Sequence, residues 1–345
     1  MSLPSATAPG PTPPAALLAA PILAHVIRGD LVESVHRGSI AVVDDTGADL
    51  LTVGDGHTPV FPRSSNKPLQ AVAMVRAGLA LSPRLLALAC ASHSGEPFHL
   101  DGVRQILDDH GLTEDDLQNT PDLPHDAHER ARRLGQGRDP SSTFQNCSGK
   151  HAAMLATCVI NDWPTATYRD LGHPLQQAID ATIADLAGEP VASRAVDGCG
   201  APVHAISLAG LARAFGRVAA ATLETPEGTV ASAMRAHPEY VGGTGRDVTA
   251  LMRGTPGAIA KDGAEAVYAL GLADGRGLAL KIADGADRAR PVVLAEVMAW
   301  LGVESTAYAR LREAPILGHG KPVGAIIAAA FPPSDPMTPL TPLTH

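Results

Sequence analysis

Between Ile22 and Gly54 apolar and polar positions partly alternate in short β-branched runs, ILAHVIRG, LVESVHRGSIAVVD and DLLTVG. Gly-Asp, Arg-Gly and Asp-Thr-Gly turns separate the runs, which predicts a small antiparallel meander. From Ser64 to about Gly254 the period lengthens to that of a helix, in KPLQAVAMVRAGLA, PRLLALACA, GKHAAMLATCVI, HPLQQAIDATIADLAG and APVHAISLAGLARAFGRVA. Strand-like runs return after Thr255 as GAIAK, AVYALGL and GLALKIAD, followed by a helix RARPVVLAEVMAWLG and a last strand VGAIIAAAF. A chain that leaves a sheet, builds helices and comes back predicts an α/β fold, an antiparallel sheet flanked by helices with a large helical insert. The expected division is a flexible leader over 1–20, a single unit over 21–332 and a flexible tail over 333–345. Within the unit, a sheet part (21–60 plus 255–332) carries a helical part (61–254).

The 345 residues, 45% of them hydrophobic, suffice for a sizeable core. A net charge of -9, arginines dispersed without a basic block, and 3% aromatics argue against nucleic acid as a partner. The first 20 residues place no positive charge ahead of an apolar stretch and do not read as a secretory signal. The stretch from Ala15 to Ile27 is too short to span a bilayer and is broken by Pro21 and His25. The expectation is a cytoplasmic protein with no membrane partner. Four cysteines in such a chain point to reduced thiols, ligands or core packing rather than to disulfides. Cys90 and Cys158 lie in apolar helical runs and read as core.

Only five of the 27 basic residues are lysine, and three of these sit in the motifs Ser64-Ser65-Asn66-Lys67, Cys147-Ser148-Gly149-Lys150 and Lys261-Asp262-Gly263. Arginine serves as well as lysine for surface charge, but only an amine can lose its proton and act as base or ligand. Ser64 and Lys67, three apart at a helix start, share one face, so a neutral amine there can activate the hydroxyl. Bringing a lysine from ~10.4 to near neutrality takes about 4 kcal/mol, within reach of burial plus a second ammonium, for which Lys261 is available. Ser92-His93-Ser94 follows in a loop, and Lys261-Asp262-Gly263 stands where the sheet resumes. This order resembles the Ser-x-x-Lys, Ser-x-Asn and Lys-Thr-Gly motifs of the serine β-lactamase and penicillin-binding family, with Ser94 in place of Asn and Asp262 in place of Thr.

Cys147, Lys150 and His151 fall at i, i+3 and i+4 at the head of one helix, and Cys199 lies in the turn VDGCGAPVH. Two thiolates from two segments suit a zinc ion, and spacing alone favours His151 as the third ligand. Core packing of both cysteines and a redox pair remain open readings of the same residues.

Taken together, FPRSSNKPLQ, ACASHSGEP, NCSGKHAAML, DGCGAPVHA, GGTGRD and AKDGAEAVYALGL resemble the rhizobial-type, or class 3, L-asparaginases over roughly Ala24 to Ala330. The resemblance implies a serine β-lactamase-like fold, a homodimer and hydrolysis of the side-chain amide of L-asparagine. It also implies two catalytic pairs, Ser64 with Lys67 and Ser92 with Lys261. One zinc ion per chain would be held by Cys147, Lys150 and Cys199, which displaces His151 from the ligand set. Arg63, His93, Asn146, Ser148, His151, Asp197 and Arg246 are expected around the substrate. Arg63, His93 or Arg246 would receive an α-carboxylate, and Asp197 an α-ammonium. The alternatives are another serine acyl hydrolase of this fold, acting on a β-lactam, an ester or a D-amino-acid peptide, and a zinc- or redox-responsive binding protein.

Overall fold

A computed structural model describes residues 15–312 and 314–329. The leader up to residue 14, the whole of the tail and the last two residues of VGAIIAAAF lie outside the described residues. The main sheet has eight strands: β1 (Ile22–Arg28), β2 (Leu31–Val43), β3 (Asp49–Val53), β6 (Ile259–Gly263), β7 (Val267–Gly271), β8 (Gly277–Ile282), β9 (Ala314–Gly318) and β10 (Lys321–Ala328). Their order is β6-β7-β8-β2-β1-β10-β9, with β3 also on β2. Every neighbouring pair is antiparallel, as the alternating runs require.

Strand β2 serves two neighbourhoods in turn. Its first half pairs with β1 up to Arg37, and from Gly38 onward it pairs with β8 and β3. Glycine is required at this changeover, because a Cβ on Gly38 would lie 2.3 Å from the Lys281 carbonyl oxygen. The second half of β2 and the whole of β6 and β7 are buried, so the core sits on that wing. The helix Leu208–Ala220 covers it, and its backbone comes so close that a Cβ on Gly277 would lie 1.9 Å from the Ala212 carbonyl oxygen. The helix Arg290–Trp300 packs on β1, β8 and β10.

Between β3 and β6 runs the helical insert. Its centre is the helix Lys67–Arg76, buried from Lys67 through Met74 and packed by the helices Pro83–Ala89, Ser148–Ile160, Pro174–Ala187 and Pro226–Ala236. One expectation fails here. APVHAISLAGLARAFGRVA is not one helix: Pro202–Ala205 forms a strand, β5, paired with β4 (Ser193–Val196), and the helix begins at Leu208. Ser207 sets that start, its Oγ accepting from the Gly210 amide at 2.8 Å. The helix Thr306–Arg312 and strand β9 were not anticipated either. Among the described residues no helix is long and apolar enough to cross a membrane.

Candidate active site

Strand β6 is one edge of the sheet, and the turn carrying Ser64 closes it. Arg63–Asn66 form a 3-10 turn that runs into the helix Lys67–Arg76, whose early Pro68 costs no hydrogen bond. Ser65 is buried and donates to the Lys261 carbonyl at 3.2 Å. Gly263 lets turn and strand touch, since a Cβ there would stand 2.4 Å from the Pro62 carbonyl oxygen and 2.7 Å from Ser65 Oγ. Arg63, directly before Ser64, has φ of 54°, a strained value for a side chain of its size. Its guanidinium donates through Nε to Asp197 Oδ1 at 2.7 Å, which fixes the turn from the other end.

Three of the five lysines are buried, Lys67, Lys150 and Lys261, at 1%, 2% and 0% exposure. Taking an ammonium out of water costs several kcal/mol, so each must be compensated by its neighbours. Lys67 Nζ donates to the Ala91 carbonyl at 2.6 Å, to Ser92 Oγ at 3.0 Å and to Cys147 Sγ at 3.1 Å. An ammonium would give one N–H to each of these partners, and a neutral amine could instead accept from the Ser92 hydroxyl or the Cys147 thiol. The expected contact with Ser64 is not made: Ser64 Oγ has no hydrogen-bond partner among the described residues, and the hydroxyl that meets Lys67 is that of Ser92. Nor does Lys261 bond to Ser92; its Nζ donates to Asp262 Oδ1 at 2.5 Å and to the Asp262 carbonyl at 2.7 Å. Burial, then Lys67 and Arg246, lower the Lys261 amine against the pull of Asp262, to about 8. Burial alone would raise Asp262, but Lys261, Arg246 and Arg290 hold it well below the usual carboxylate range.

Cys147 caps the helix Ser148–Ile160, and Cys199 lies in the tight turn after β4, where the Asp197 amide donates to the Ala201 carbonyl at 2.9 Å. Lys150 Nζ stands 3.3 Å from Cys199 Sγ. Interaction between the two thiols and burial push Cys147 up, while that interaction and Lys150, against burial, bring Cys199 down to about 4. Burial works against charge on Lys150, but the cysteines and Asp197 outweigh it and raise its affinity for the proton. Two thiols and an amine gathered in this way fit a zinc ion. Ligand distances of about 2.3 Å and 2.0 Å around a tetrahedron separate sulfur from nitrogen by roughly 3.5 Å. Among the described residues no three His, Cys, Asp or Glu side chains cluster as a metal site.

His151 is buried with its Nδ1 bonded to Tyr168 Oη at 2.7 Å, while its Nε2 has no hydrogen-bond partner among the described residues. His93 is fully buried, its Nε2 at 2.8 Å from Ser148 Oγ, which itself donates to the Thr143 carbonyl at 2.8 Å. The serine hydrogen is thereby committed, so His93 carries its proton on Nε2. His93 and Ser148 form a buried pair, and the His93 amide adds a bond to the Asn146 carbonyl at 3.1 Å. Asn146 Oδ1 accepts from Cys147 Sγ at 3.0 Å. Arg246 donates to Asp262 Oδ2 at 2.7 Å. Asp197, despite its burial, is lowered by Lys150 and Arg63.

Sequence reasoning missed Asp262, noted only as a departure from threonine, and Arg290, which has no local motif to reveal it. An apolar cavity of about 380 Å³, lined by Leu17, Phe61, Val196, Leu208 and Lys281 among others, meets these residues only at Arg63.

No curated protein matches the chain in sequence. Solved structures similar to it include EstCE1, a hydrolase with promiscuous acyltransferase activity, at 12% identity over 74% of this chain and 92% of that one, with a TM-score of 0.38. Another is Mglu, at 13% identity over 78% and 62% of the two chains, with a TM-score of 0.35. The family model described as L-asparaginase II matches residues 24–328, which takes in both serine motifs, all three buried lysines and both site cysteines. The chain belongs to the L-asparaginase II family, and by that membership is an asparaginase.

Proposed function

We propose that the chain hydrolyses the side-chain amide of L-asparagine with Ser64 as nucleophile and with Lys67, Ser92 and Lys261 as the path for its proton. Ser64 Oγ forms a bond to the amide carbon, the C–N bond breaks, and the departing nitrogen takes a proton and leaves as ammonia. Water then hydrolyses the ester to aspartate. The observation that carries this reading is a buried lysine, Lys67, bonded to Ser92 Oγ at 3.0 Å and lowering the neighbouring Lys261. Lys261 is the better final acceptor of the proton, because its amine titrates near 8 and only two of its positions are engaged. Backbone N–H groups near Ser64 hold the oxyanion. Arg63, Arg246 or His93 takes the α-carboxylate in this reading, and Asp197 the α-ammonium.

Cys147, Lys150 and Cys199 would hold zinc, which when bound supplies a fixed positive charge that orients the substrate. Binding needs Lys150 neutral and both thiols ionised, so ion uptake releases protons and strengthens as pH rises.

The test is ammonia release from asparagine and glutamine by wild type, Ser64→Ala and Lys67→Arg, with zinc content measured on the same samples. Ser64→Ala should lose at least 99% of activity, as removal of a nucleophile does. Lys67→Arg keeps the charge but removes basicity and should fall by about 100-fold. In wild type, kcat/KM should climb as pH passes through about 8, where Lys261 becomes neutral. An active Ser64→Ala would overturn the assignment of the nucleophile. Turnover of nitrocefin or a p-nitrophenyl ester without ammonia release would favour the other acyl hydrolase.

A further inference from the structure

The sequence places a carboxylate, Asp262, where the resembling motif has threonine, and the structure shows what it touches. Oδ1 and the backbone oxygen of Asp262 both accept from Lys261 Nζ, at 2.5 and 2.7 Å. Its other oxygen, Oδ2, accepts from Arg246 at 2.7 Å and lies 4.0 Å from Arg290 Nη2. Arg290 also donates to the Gly263 carbonyl at 3.0 Å, reaches Asp247 at 3.9 Å and covers the Tyr268 ring at 5.2 Å. Each end of the carboxylate therefore has a separate task.

We propose that Asp262 is a positioning residue for Lys261: it occupies two of the three positions on the amine nitrogen, reserves the third for proton transfer with the serines, and is itself held by Arg246 and Arg290. The inference rests on the hydrolytic reading above. A neutral amine has two N–H bonds and one lone pair. With both N–H bonds on Asp262, the lone pair takes the remaining direction, and a proton arriving there adds a third N–H without moving the nitrogen. Threonine has no charge with which to hold an ammonium once formed. Aspartate does, which lets Lys261 keep the proton between attack on the amide carbon and departure of ammonia. The arginines work against this by drawing on the same carboxylate.

The charged and titratable groups around the pair come from six segments. They are Lys67, Cys90 after the helix Pro83–Ala89, His125, Arg246 with Asp247, Tyr268 on β7, and Arg290. Burial and Lys67 favour the neutral amine, and Asp262 favours the ammonium.

Five lysines make a direct measurement practical: protein labelled with ¹³C at lysine Cε, with Lys261→Arg to assign the signal, titrated from about pH 5 to 11. Asp262→Asn removes the negative charge and should move the Lys261 midpoint down by about one unit. Arg246→Gln removes an opposing charge and should move it up. The acid limb of kcat/KM for ammonia release should follow each variant, and Asp262→Glu should return the midpoint toward wild type. A merely structural role would not shift the two variants in opposite directions. Unmoved midpoints, shifts of the same sign, or an acid limb that ignores the midpoint would overturn the proposal. Were Asp262→Asn to misfold, an Arg246→Gln midpoint that fails to rise, or an acid limb that ignores it, would still overturn the proposal. Opposite shifts in a protein that releases no ammonia from asparagine would refute the substrate and leave the positioning of Lys261 standing.

Discussion

Replacing Gly263 by alanine adds one methyl group at the seam between the nucleophile turn and strand β6. Its Cβ would meet the Pro62 carbonyl oxygen at 2.4 Å, Ser65 Oγ at 2.7 Å and the Ser65 amide nitrogen at 3.0 Å. Two of these contacts are backbone, so a rotamer change cannot relieve them. The turn must move by roughly 0.6–1 Å, and a displacement near 1 Å at a reacting atom costs on the order of 100-fold in rate. Overpacking of this kind costs about 1–3 kcal/mol of stability, or several degrees in Tm for a chain of this size. Ammonia release and thermal unfolding of Gly263→Ala should thus show a large loss of kcat with a modest loss of Tm. Gly135→Ala is the control, a helix-end position where the added Cβ meets nothing within 4 Å and should be neutral in both assays. Full kcat in Gly263→Ala would refute the claim that contact with β6 sets the position of Ser64.

Acid should weaken the fold well before the carboxylates titrate. Burial lowers His99 and His204 to about 4 and His93 well below its ordinary value. A histidine held neutral contributes stability above its unfolded value of ~6.5 and loses it as pH falls toward the folded value. Between about pH 7 and 5.5 each should lose about 1 kcal/mol by linkage, measurable as a fall in the urea midpoint; an unchanged midpoint would show that these rings are not sequestered. Ser148→Ala leaves the buried His93 Nε2 without its acceptor at 2.8 Å, so about 1–3 kcal/mol of stability should go, together with part of kcat as the Ser92 loop loosens. A Ser148→Ala enzyme with unchanged Tm would mean that the pair carries no load.

The sequence exposed most about the residue type hardest to explain otherwise. In an arginine-rich chain Lys67, Lys150 and Lys261 stood out as amines, and they are the lysines that are buried, while Lys321 is exposed. Partnership was not legible. Lys67 meets Ser92 alongside the Ala91 carbonyl and Cys147, all brought in from other segments, and helix spacing contains none of these contacts. His151 is similar: i, i+4 spacing does not say that Tyr168 will take one of its ring nitrogens. His93 between two serines read as a contact for substrate, and only the tertiary structure stacks it on His99 and encloses it. Strand β5 was hidden by the helical run after it, although Ser207 carried the capping signal that separates them.

Three amines in one small buried region would raise one another's cost if each kept the same surroundings, and the chain gives them different ones. Lys67 faces a carbonyl, a hydroxyl and a thiol, Lys150 faces the ionised Cys199, and Lys261 faces a carboxylate shared with two arginines. The outcomes diverge accordingly, with Lys150 raised and Lys261 lowered to about 8. Different partners thus separate the proton affinities of chemically identical groups, as the proposed roles require: Lys261 would exchange a proton with a serine, while Lys150 would give up its proton to bind a metal through nitrogen. Arginine at any of the three positions would stay charged and allow neither.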